Sequence, residues 1–318
     1  MKEKEKASEE ASVQGEGSMI EKPKSNRQAL VEQLKAKGIN QIFGRPLWRC
    51  LKEELEFALR QNRPSFLSFS AVNMYLKCGL QYYFRYVLGL KLPPPGVVIL
   101  GSAVHEGLEF DFTQKIESKE NRPTKEILEV YSDRFDREKD NALWGEEENP
   151  GEVKDQGSQV LQIYHKDRAQ SLQPKEVEKK VKVSFENVDY DLIGYIDLLT
   201  EDEQLRDFKT KAKSMSDAEI GSDMQLTTYA FAYHEETGRF PKTLGFDVLV
   251  RSPKNPKVQL AETQRGETDC VRLLAYLAHV ADGIYKNVFL PAQPGTWVCS
   301  PKWCGYYDIC QREMISRP

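Results

Sequence analysis

Two neighbouring stretches decide the fold: Gly194-Tyr195-Ile196-Asp197-Leu198-Leu199 and, a short turn later, Arg206-Asp207-Phe208-Lys209-Thr210-Lys211. The first is an apolar strand that one carboxylate, Asp197, interrupts. In the second, Asp207 and Lys209 are two positions apart, so in a strand they project from the same face. A hairpin turning at 201–203 would bring Asp197 to these two side chains. The pattern predicts a hairpin that gathers two carboxylates and one ammonium group.

This combination of groups suits phosphodiester hydrolysis. Two carboxylates bind a hard divalent cation, and the backbone carbonyl of Phe208, between Asp207 and Lys209, could complete the oxygen ligands. Such a metal lowers the pKa of a bound water, and metal and lysine neutralise charge on the phosphate in the transition state. The alternative is a surface hairpin with charged residues on its exposed edge, because an isolated D-x-K sequence is common by chance.

Hydrophobic patterning on either side of the hairpin predicts further strands and helices. Val181, Val183 and Phe185 alternate with polar residues, as in a half-buried strand. We expect other strands near 189–200, 204–210, 244–251 and 257–261. We expect helices near 28–38, 46–60, 68–86, 101–108, 123–140, 153–172, 216–236 and 267–287. This order implies a mixed α/β core with a helical N-terminal portion.

Composition divides the chain into three parts. Residues 1–28 are rich in Glu, Lys, Ser and Gly with almost no apolar content, and they predict a disordered tail. Residues 29–64 predict an N-terminal helical segment. Residues 65–318 predict one large domain, which is long enough to bury a substantial core.

Overall charge and hydropathy exclude a membrane-spanning protein but identify no ligand. Lys and Arg total 45 against 49 Asp and Glu, so the net charge of −4 gives no whole-chain case for nucleic acid. The apolar runs are too short to cross a bilayer. The start, Met1-Lys2-Glu3-Lys4-Glu5-Lys6, lacks the apolar core of a signal peptide. We expect a cytoplasmic protein, in the host cytoplasm if a phage encodes it.

Three of the six cysteines crowd into the last twenty residues. Cys299, Cys304 and Cys310 have the spacing C-x4-C-x5-C, and Cys78 would supply a fourth thiolate. Structural zinc usually uses two close cysteine pairs, whereas three clustered cysteines with one distant partner suit an iron–sulfur cubane. Zinc and free buried thiols are the alternatives. The remaining two, Cys50 and Cys270, fit no pattern and are expected to pack in the core.

Five blocks in order resemble a known family. They are Ser68-Phe69-Ser70 with Tyr75-Leu76-Lys77-Cys78, Gly101 to His105 as G-x-x-x-H, Gly194 to Asp197 as G-x-x-D, Asp207 to Lys209 as D-x-K, and Gln225 to Tyr229 as Q-x-x-x-Y. Together they resemble the RecB-like exonuclease branch of the PD-(D/E)XK superfamily. That resemblance implies a restriction-endonuclease-like α/β fold, with a mixed sheet flanked by helices and a C-terminal iron–sulfur segment.

The resemblance also implies a role for each matching residue. Asp197 and Asp207 would be metal ligands with His105 as a third, and Lys209 would position or activate the attacking water. Gln225 and Tyr229 would support the active site and contact the DNA backbone. The layout of Cys78, Cys299, Cys304 and Cys310 resembles that of the AddB nuclease and of CRISPR-adaptation nucleases, which implies that these residues hold a [4Fe–4S] cluster.

The resulting expectation is a Mg²⁺- or Mn²⁺-dependent DNA exonuclease that acts on single-stranded or end-resected DNA in recombination, repair or phage DNA processing. The alternative is a catalytically silent subunit that binds DNA ends or acts as a scaffold. An iron–sulfur redox protein is disfavoured because no flavin or nicotinamide fingerprint occurs. No helicase P-loop occurs either, so an unwinding helicase would be a separate partner. A recombinase or a single-strand-binding protein would be others.

Overall fold

The computed structural model describes residues 26–36, 41–42, 45–50, 52, 55, 66–184 and 190–315. The chain divides into two compact units, Met1–Arg60 and Gln61–Pro318. This division lies close to the boundary predicted between residues 64 and 65. The predicted disordered tail falls almost wholly outside the described residues.

The first unit is a short helix with a small apolar core. Helix α1 (Asn26–Ala36) starts three residues before the predicted end of the tail. Strands β1 (Gln41–Ile42) and β2 (Arg45–Pro46) pair antiparallel. The predicted helix at 46–60 is wrong at its start, because Pro46 lies in a strand and Leu47–Arg49 form a 3₁₀ turn. The rest of that helix lies mostly outside the described residues. The buried core residues are Leu34, Leu47, Cys50 and Leu55.

The second unit is built on a six-stranded mixed sheet. Its strands are β3 (Phe66–Ser68), β4 (Pro174–Val183), β5 (Asp191–Thr200), β6 (Gln204–Lys211), β7 (Thr243–Val250) and β8 (Lys257–Thr263). Strands β3 and β5 run parallel, as do β6 and β7. The other pairs are antiparallel, including the predicted β5–β6 hairpin.

Strand β5 has three partners, although a strand offers only two edges. Strand β4 follows β5 along nearly its whole length and occupies one edge. The other edge is shared: β3 pairs up to Ile193, and β6 pairs only at Leu198 and Leu199. Between Ile193 and Leu198 neither β3 nor β6 continues the ladder, so backbone groups there need other partners. This gap positions the candidate site.

Helices cover both faces of the sheet. The helices after β3 are α2 (Phe69–Lys77), α3 (Gly79–Tyr82), α4 (Gly96–Ser118), α5 (Thr124–Glu138), α6 (Pro150–Asp167), α7 (Asp217–Gly221), α8 (Met224–Thr237), α9 (Glu267–Tyr285) and α10 (Tyr307–Ile315). Helices α4 to α6 share one core with Leu198, Phe208 and Leu249. Helix α8 meets the opposite face through Asp207. The predicted mixed sheet with flanking helices is confirmed. None of the described helices is long and apolar enough to span a membrane.

Three predicted helices differ from the structure in informative ways. The helix expected at 68–86 breaks at Cys78, whose backbone is extended, and continues as α3 and a π-helical turn. The helix expected from Gly101 begins earlier, at Gly96. The helix expected at 216–236 is two helices, because Ser216 caps α7 and Asp223 separately caps α8 through side-chain oxygens.

A buried ion pair fixes β6 against β7. The Arg206 side chain is fully buried, and its Nε donates to Asp247 Oδ1 at 2.7 Å. Tyr164 on α6 donates to the other Asp247 oxygen at 2.8 Å. Because a buried charge without partners is costly, these contacts are needed for the strand pair to stay in register.

Candidate active site

Asp197 lies where β5 and β6 part. Its side chain is buried, and Oδ2 accepts a hydrogen bond from the Phe208 backbone N–H at 2.5 Å. The carboxylate therefore replaces a ladder bond that the diverging strands cannot make. The predicted convergence of Asp197 on the second strand is present.

Asp207 and Lys209 share one face of β6, as strand alternation predicts. Their side chains form an ion pair, with Lys209 Nζ 2.5 Å from Asp207 Oδ2. Burial and the charge of Asp197 raise the pKa of Asp207 to about 6, although Lys209 opposes them. Burial lowers the pKa of Lys209, but Asp207 outweighs it, so the pKa lies above the ordinary value of 10.5. Lys209 is therefore a cation at neutral pH.

Helix α8 holds this ion pair from outside. Gln225 Nε2 donates to Asp207 Oδ1 at 2.7 Å, and Gln225 Oε1 accepts from Lys209 Nζ at 3.0 Å. The Gln225 amide also donates to the Tyr229 hydroxyl at 2.6 Å. That hydroxyl donates to the Tyr195 carbonyl at 2.5 Å, inside the gap in the β5 ladder. Gln225 and Tyr229 thus support the site as predicted, and their contact with DNA stays a prediction.

His105 approaches Asp197 from helix α4. Its Nε2 donates to the Phe208 carbonyl at 2.8 Å, and its Nδ1 lies 3.4 Å from Asp197 Oδ2. Burial alone lowers the pKa of His105, but the charge of Asp197 outweighs it and raises the pKa to about 9. Gly101 allows α4 this position, since a Cβ there would lie 3.3 Å from Thr210 Oγ1. His105 and the Phe208 carbonyl, both predicted ligands, lie together.

Glu178 is a member of the site that sequence reasoning missed. Ligand atoms of His105, Glu178 and Asp197 all lie within 4.8 Å of one another. Glu178 has a left-handed backbone, with φ of 48°, in an otherwise extended strand. Burial and the charge of Asp197 raise the pKa of Glu178 to about 7. Among the described residues, no group forms a hydrogen bond or ion pair with this carboxylate.

The donor atoms suit a divalent cation. The set offers carboxylate oxygens, the Phe208 carbonyl oxygen and one imidazole nitrogen. Oxygen donors suit Mg²⁺ and Mn²⁺, and the imidazole favours Mn²⁺ of the two. Asp207 borders the set, and its charge raises the pKa of His105. In the described residues this is the one group of three or more His, Cys, Asp or Glu side chains with ligand atoms so close together.

The four C-terminal-type cysteines also converge. Cys78, Cys299, Cys304 and Cys310 line one cavity of about 250 Å³. Burial, and then the three other thiols, raise the pKa of Cys310 to about 11. No three of the four sulfur atoms lie within 4.8 Å of one another. Cys50 and Cys270 are both buried in apolar surroundings elsewhere, as predicted.

Comparisons with known proteins agree with this site. The model of the PD-(D/E)XK nuclease superfamily matches residues 66–311. A search of curated proteins finds no match. A crystal structure named "Putative exonuclease", from Eubacterium rectale, superposes with a TM-score of 0.52 at 9% identity, covering 75% of this chain and 88% of that one. At this identity the likeness shows the fold alone, which is restriction-endonuclease-like. The family match covers most of the chain and includes every residue of the site, so the chain belongs to the PD-(D/E)XK nuclease superfamily.

Proposed function

We propose that this nuclease is a divalent-metal-dependent DNA exonuclease. The observation that carries the proposal is the grouping of His105, Glu178 and Asp197 beside the Asp207–Lys209 ion pair. Metal ligands and a phosphate-neutralising cation are the two things that phosphodiester hydrolysis needs. A catalytically silent scaffold would be under no constraint to keep the lysine and both aspartates in these contacts.

His105, Asp197 and Asp207 with the Phe208 carbonyl would hold the metal, as the family resemblance implies, and we add Glu178 to this set. Bound there, Mg²⁺ or Mn²⁺ supplies Lewis acidity, polarising a phosphate oxygen and lowering the pKa of water. Glu178 is suited to this role because its carboxylate is crowded against Asp197 and has no hydrogen-bond donor of its own among the described residues.

Lys209 would act on the phosphate. Its ammonium group is held by Asp207 at 2.5 Å and by Gln225 at 3.0 Å, yet the side chain remains about one-third exposed. A fixed, partly accessible cation can neutralise charge that grows on the phosphate oxygens, without reorganising during the reaction. Tyr229 and Gln225 contribute by preventing movement of Asp207 and Lys209.

The cysteine site would hold a [4Fe–4S] cluster with a structural role. With Zn–S bonds of about 2.3 Å, four thiolates around one zinc would lie about 3.8 Å apart. The thiols here are spread more widely around their cavity, which supports a larger group held by four thiolates. Such a cluster would join α3 to the C-terminal segment.

Exonuclease action on single strands or resected ends rests on the family resemblance and on the name of the structural neighbour. The experiment is a cleavage assay on end-labelled single-stranded and duplex DNA, and on covalently closed single-stranded circles, with Mg²⁺, Mn²⁺ or EDTA. We expect metal-dependent loss of linear DNA and slow or no cutting of circles. Rapid cutting of circles would identify an endonuclease, and no cutting in any metal would refute the proposed activity.

A role in recombination, repair or phage DNA processing, with a helicase, a recombinase or a single-strand-binding protein as partner, remains part of this proposal. Because the chain has no P-loop, threading of DNA by an unwinding motor would depend on a second protein. The described helices offer no membrane-spanning segment.

A further inference from the structure

The cysteine residues lie in a substructure that two distant segments build. We name residues 69–92 and 286–312 together the cysteine module. The Gly79 N–H donates to the Leu290 carbonyl at 2.7 Å, and the Tyr306 hydroxyl donates to the Leu90 carbonyl at 2.6 Å. A side chain at Gly79 would be only 2.7 Å from the Leu290 backbone, so glycine is required for this approach. The two segments are therefore packed directly together.

The cysteine module is basic, although the chain is not. It contains six Lys or Arg residues and one acidic residue, Asp308, in a chain of net charge −4. The basic residues are Lys77, Arg85, Lys91, Lys286, Lys302 and Arg312. From residue 57 to residue 105 the sequence has no Asp or Glu. The module is thus a local surface on which a polyanion would be attracted.

Two tryptophans are exposed on this module. Trp297 and Trp303 are 64% and 63% exposed, with ring centroids 6.3 Å apart and planes perpendicular. Each has its own lysine: Lys77 Nζ is 6.0 Å from the Trp297 ring centroid, and Lys302 Nζ is 5.4 Å from that of Trp303. Large exposed indoles beside cations have the two elements of a single-strand binding surface, which are faces for bases and charges for phosphates.

We infer that Trp297 and Trp303, with Lys77 and Lys302, form a stacking platform for single-stranded DNA. The inference rests on the proposed function for the identity of the nucleic acid. Unpaired bases stack on the indole rings while the neighbouring ammonium groups contact the backbone phosphates. A duplex keeps its base faces inside the stack, so the platform favours single strands over blunt duplex ends.

A protein partner is a poorer fit to the same surface. Tryptophan is common in protein interfaces, but lysine is depleted from their cores. Here a lysine accompanies each indole, and the surrounding module has a strong excess of positive charge. Charge complementarity therefore points to a polyanion with aromatic groups.

The test is fluorescence-anisotropy binding of a labelled oligothymidylate to the full chain in EDTA, where no metal-dependent cleavage occurs. Trp297→Leu/Trp303→Leu should weaken binding by about tenfold or more. Trp297→Phe/Trp303→Phe keeps flat aromatic faces and should stay close to wild type. Tyr276→Leu, at an exposed aromatic on α9, is the matched control and should change nothing.

The inference is overturned if the wild-type chain does not bind the oligonucleotide, if blunt duplex binds as well, or if the Leu and Phe pairs behave alike. Lys77→Ala/Lys302→Ala gives a second test that leaves the tryptophans in place. It should lower the magnitude of the salt slope of log affinity by about 1.4, or about 0.7 for each phosphate contact, and an unchanged slope contradicts the platform. Failure of the proposed nuclease is distinguishable, since it leaves binding intact and abolishes only cleavage.

Discussion

The carboxylate of Asp197 accepts the backbone N–H of Phe208 at 2.5 Å, across the gap where β5 and β6 separate. The carbonyl of the same Phe208 accepts from His105 at 2.8 Å. Both backbone groups of one residue are thus held by proposed metal ligands. The site is part of the sheet's own hydrogen bonding, so loss of a ligand can affect stability as well as metal affinity.

Asp197→Asn separates these two effects. The amide oxygen can still accept from Phe208, so we expect the free energy of unfolding to change by less than about 1 kcal/mol, whereas Asp197→Ala should lower it by about 1–3 kcal/mol. Both variants should bind Mn²⁺ at least about tenfold more weakly, because the charge is lost. Calorimetric Mn²⁺ titration and urea unfolding measure the two quantities. Wild-type Mn²⁺ affinity in Asp197→Asn would remove Asp197 from the ligand set.

Glu178→Gln tests the ligand that the structure adds. We expect weaker Mn²⁺ binding and slower cleavage, because a charged oxygen donor is replaced by a neutral one. Glu176→Gln is the matched control on the same strand, where the carboxylate pairs with Lys179 instead. Equal metal affinity in the two variants would show that Glu178 is outside the site.

The same variant makes a prediction about pH in the metal-free protein. The pKa of Glu178 is raised to about 7 from its ordinary 4.5, so the folded chain binds this proton more tightly than the unfolded chain. The associated stability is present below about pH 4.5 and is lost as pH rises through 7. We expect Glu178→Gln to gain stability over wild type on going from pH 5 to pH 7.5 in EDTA, as measured by thermal unfolding. A stability difference that does not change with pH would contradict the crowding of Glu178 against Asp197.

Tyr229→Phe tests the support that α8 gives to the site. The substitution leaves the Tyr195 carbonyl without its donor and Gln225 without one of its acceptors. We expect a loss of about 1–3 kcal/mol in the free energy of unfolding, together with slower cleavage because Asp207 and Lys209 are less firmly positioned. Tyr233→Phe, one turn further along the helix, is the control and should cleave normally. Full cleavage by Tyr229→Phe would limit this residue to a role in folding.

The cysteine site predicts a brown protein after anaerobic purification, with about four irons and four sulfides per chain. Changing Cys78, Cys299, Cys304 or Cys310 to Ser should remove the colour and lower thermal stability. The cluster closes a long loop, which is worth up to about 5 kcal/mol in the chain-entropy model. Cys270→Ser should keep full colour, since that thiol is buried on α9. A colourless protein with stoichiometric zinc after iron-supplemented anaerobic expression would contradict the cluster.

Strand alternation explains why much of the site is predictable from sequence. Asp207 and Lys209 must share a face once β6 is a strand, and the G-x-x-x-H and Q-x-x-x-Y patterns place His105 and Gln225 by resemblance. Glu178 is not predictable in this way. Alternation puts it on the same face as Glu176, and its orientation depends on a left-handed backbone that no local residue type signals.

Helix ends and long-range pairs are the other features that local patterns do not reveal. Gly101 suggests a helix start, yet in the structure it is an interior position where α4 approaches Thr210 of β6. The buried pair of Arg206 and Asp247 joins residues 41 positions apart. Both features depend on tertiary contacts, so only the assembled sheet explains them.

The most direct measurement of the central claim is single-turnover cleavage of end-labelled linear DNA in Mn²⁺ by Lys209→Ala and Lys211→Ala. The two lysines are neighbours on one face of β6, but Lys209 contacts Asp207 and Gln225, whereas Lys211 pairs with Glu219 at the surface. We predict that Lys209→Ala loses cleavage by at least about a hundredfold, while Lys211→Ala cleaves within a few-fold of wild type. Undiminished cleavage by purified Lys209→Ala would contradict the assignment of this site as the catalytic centre.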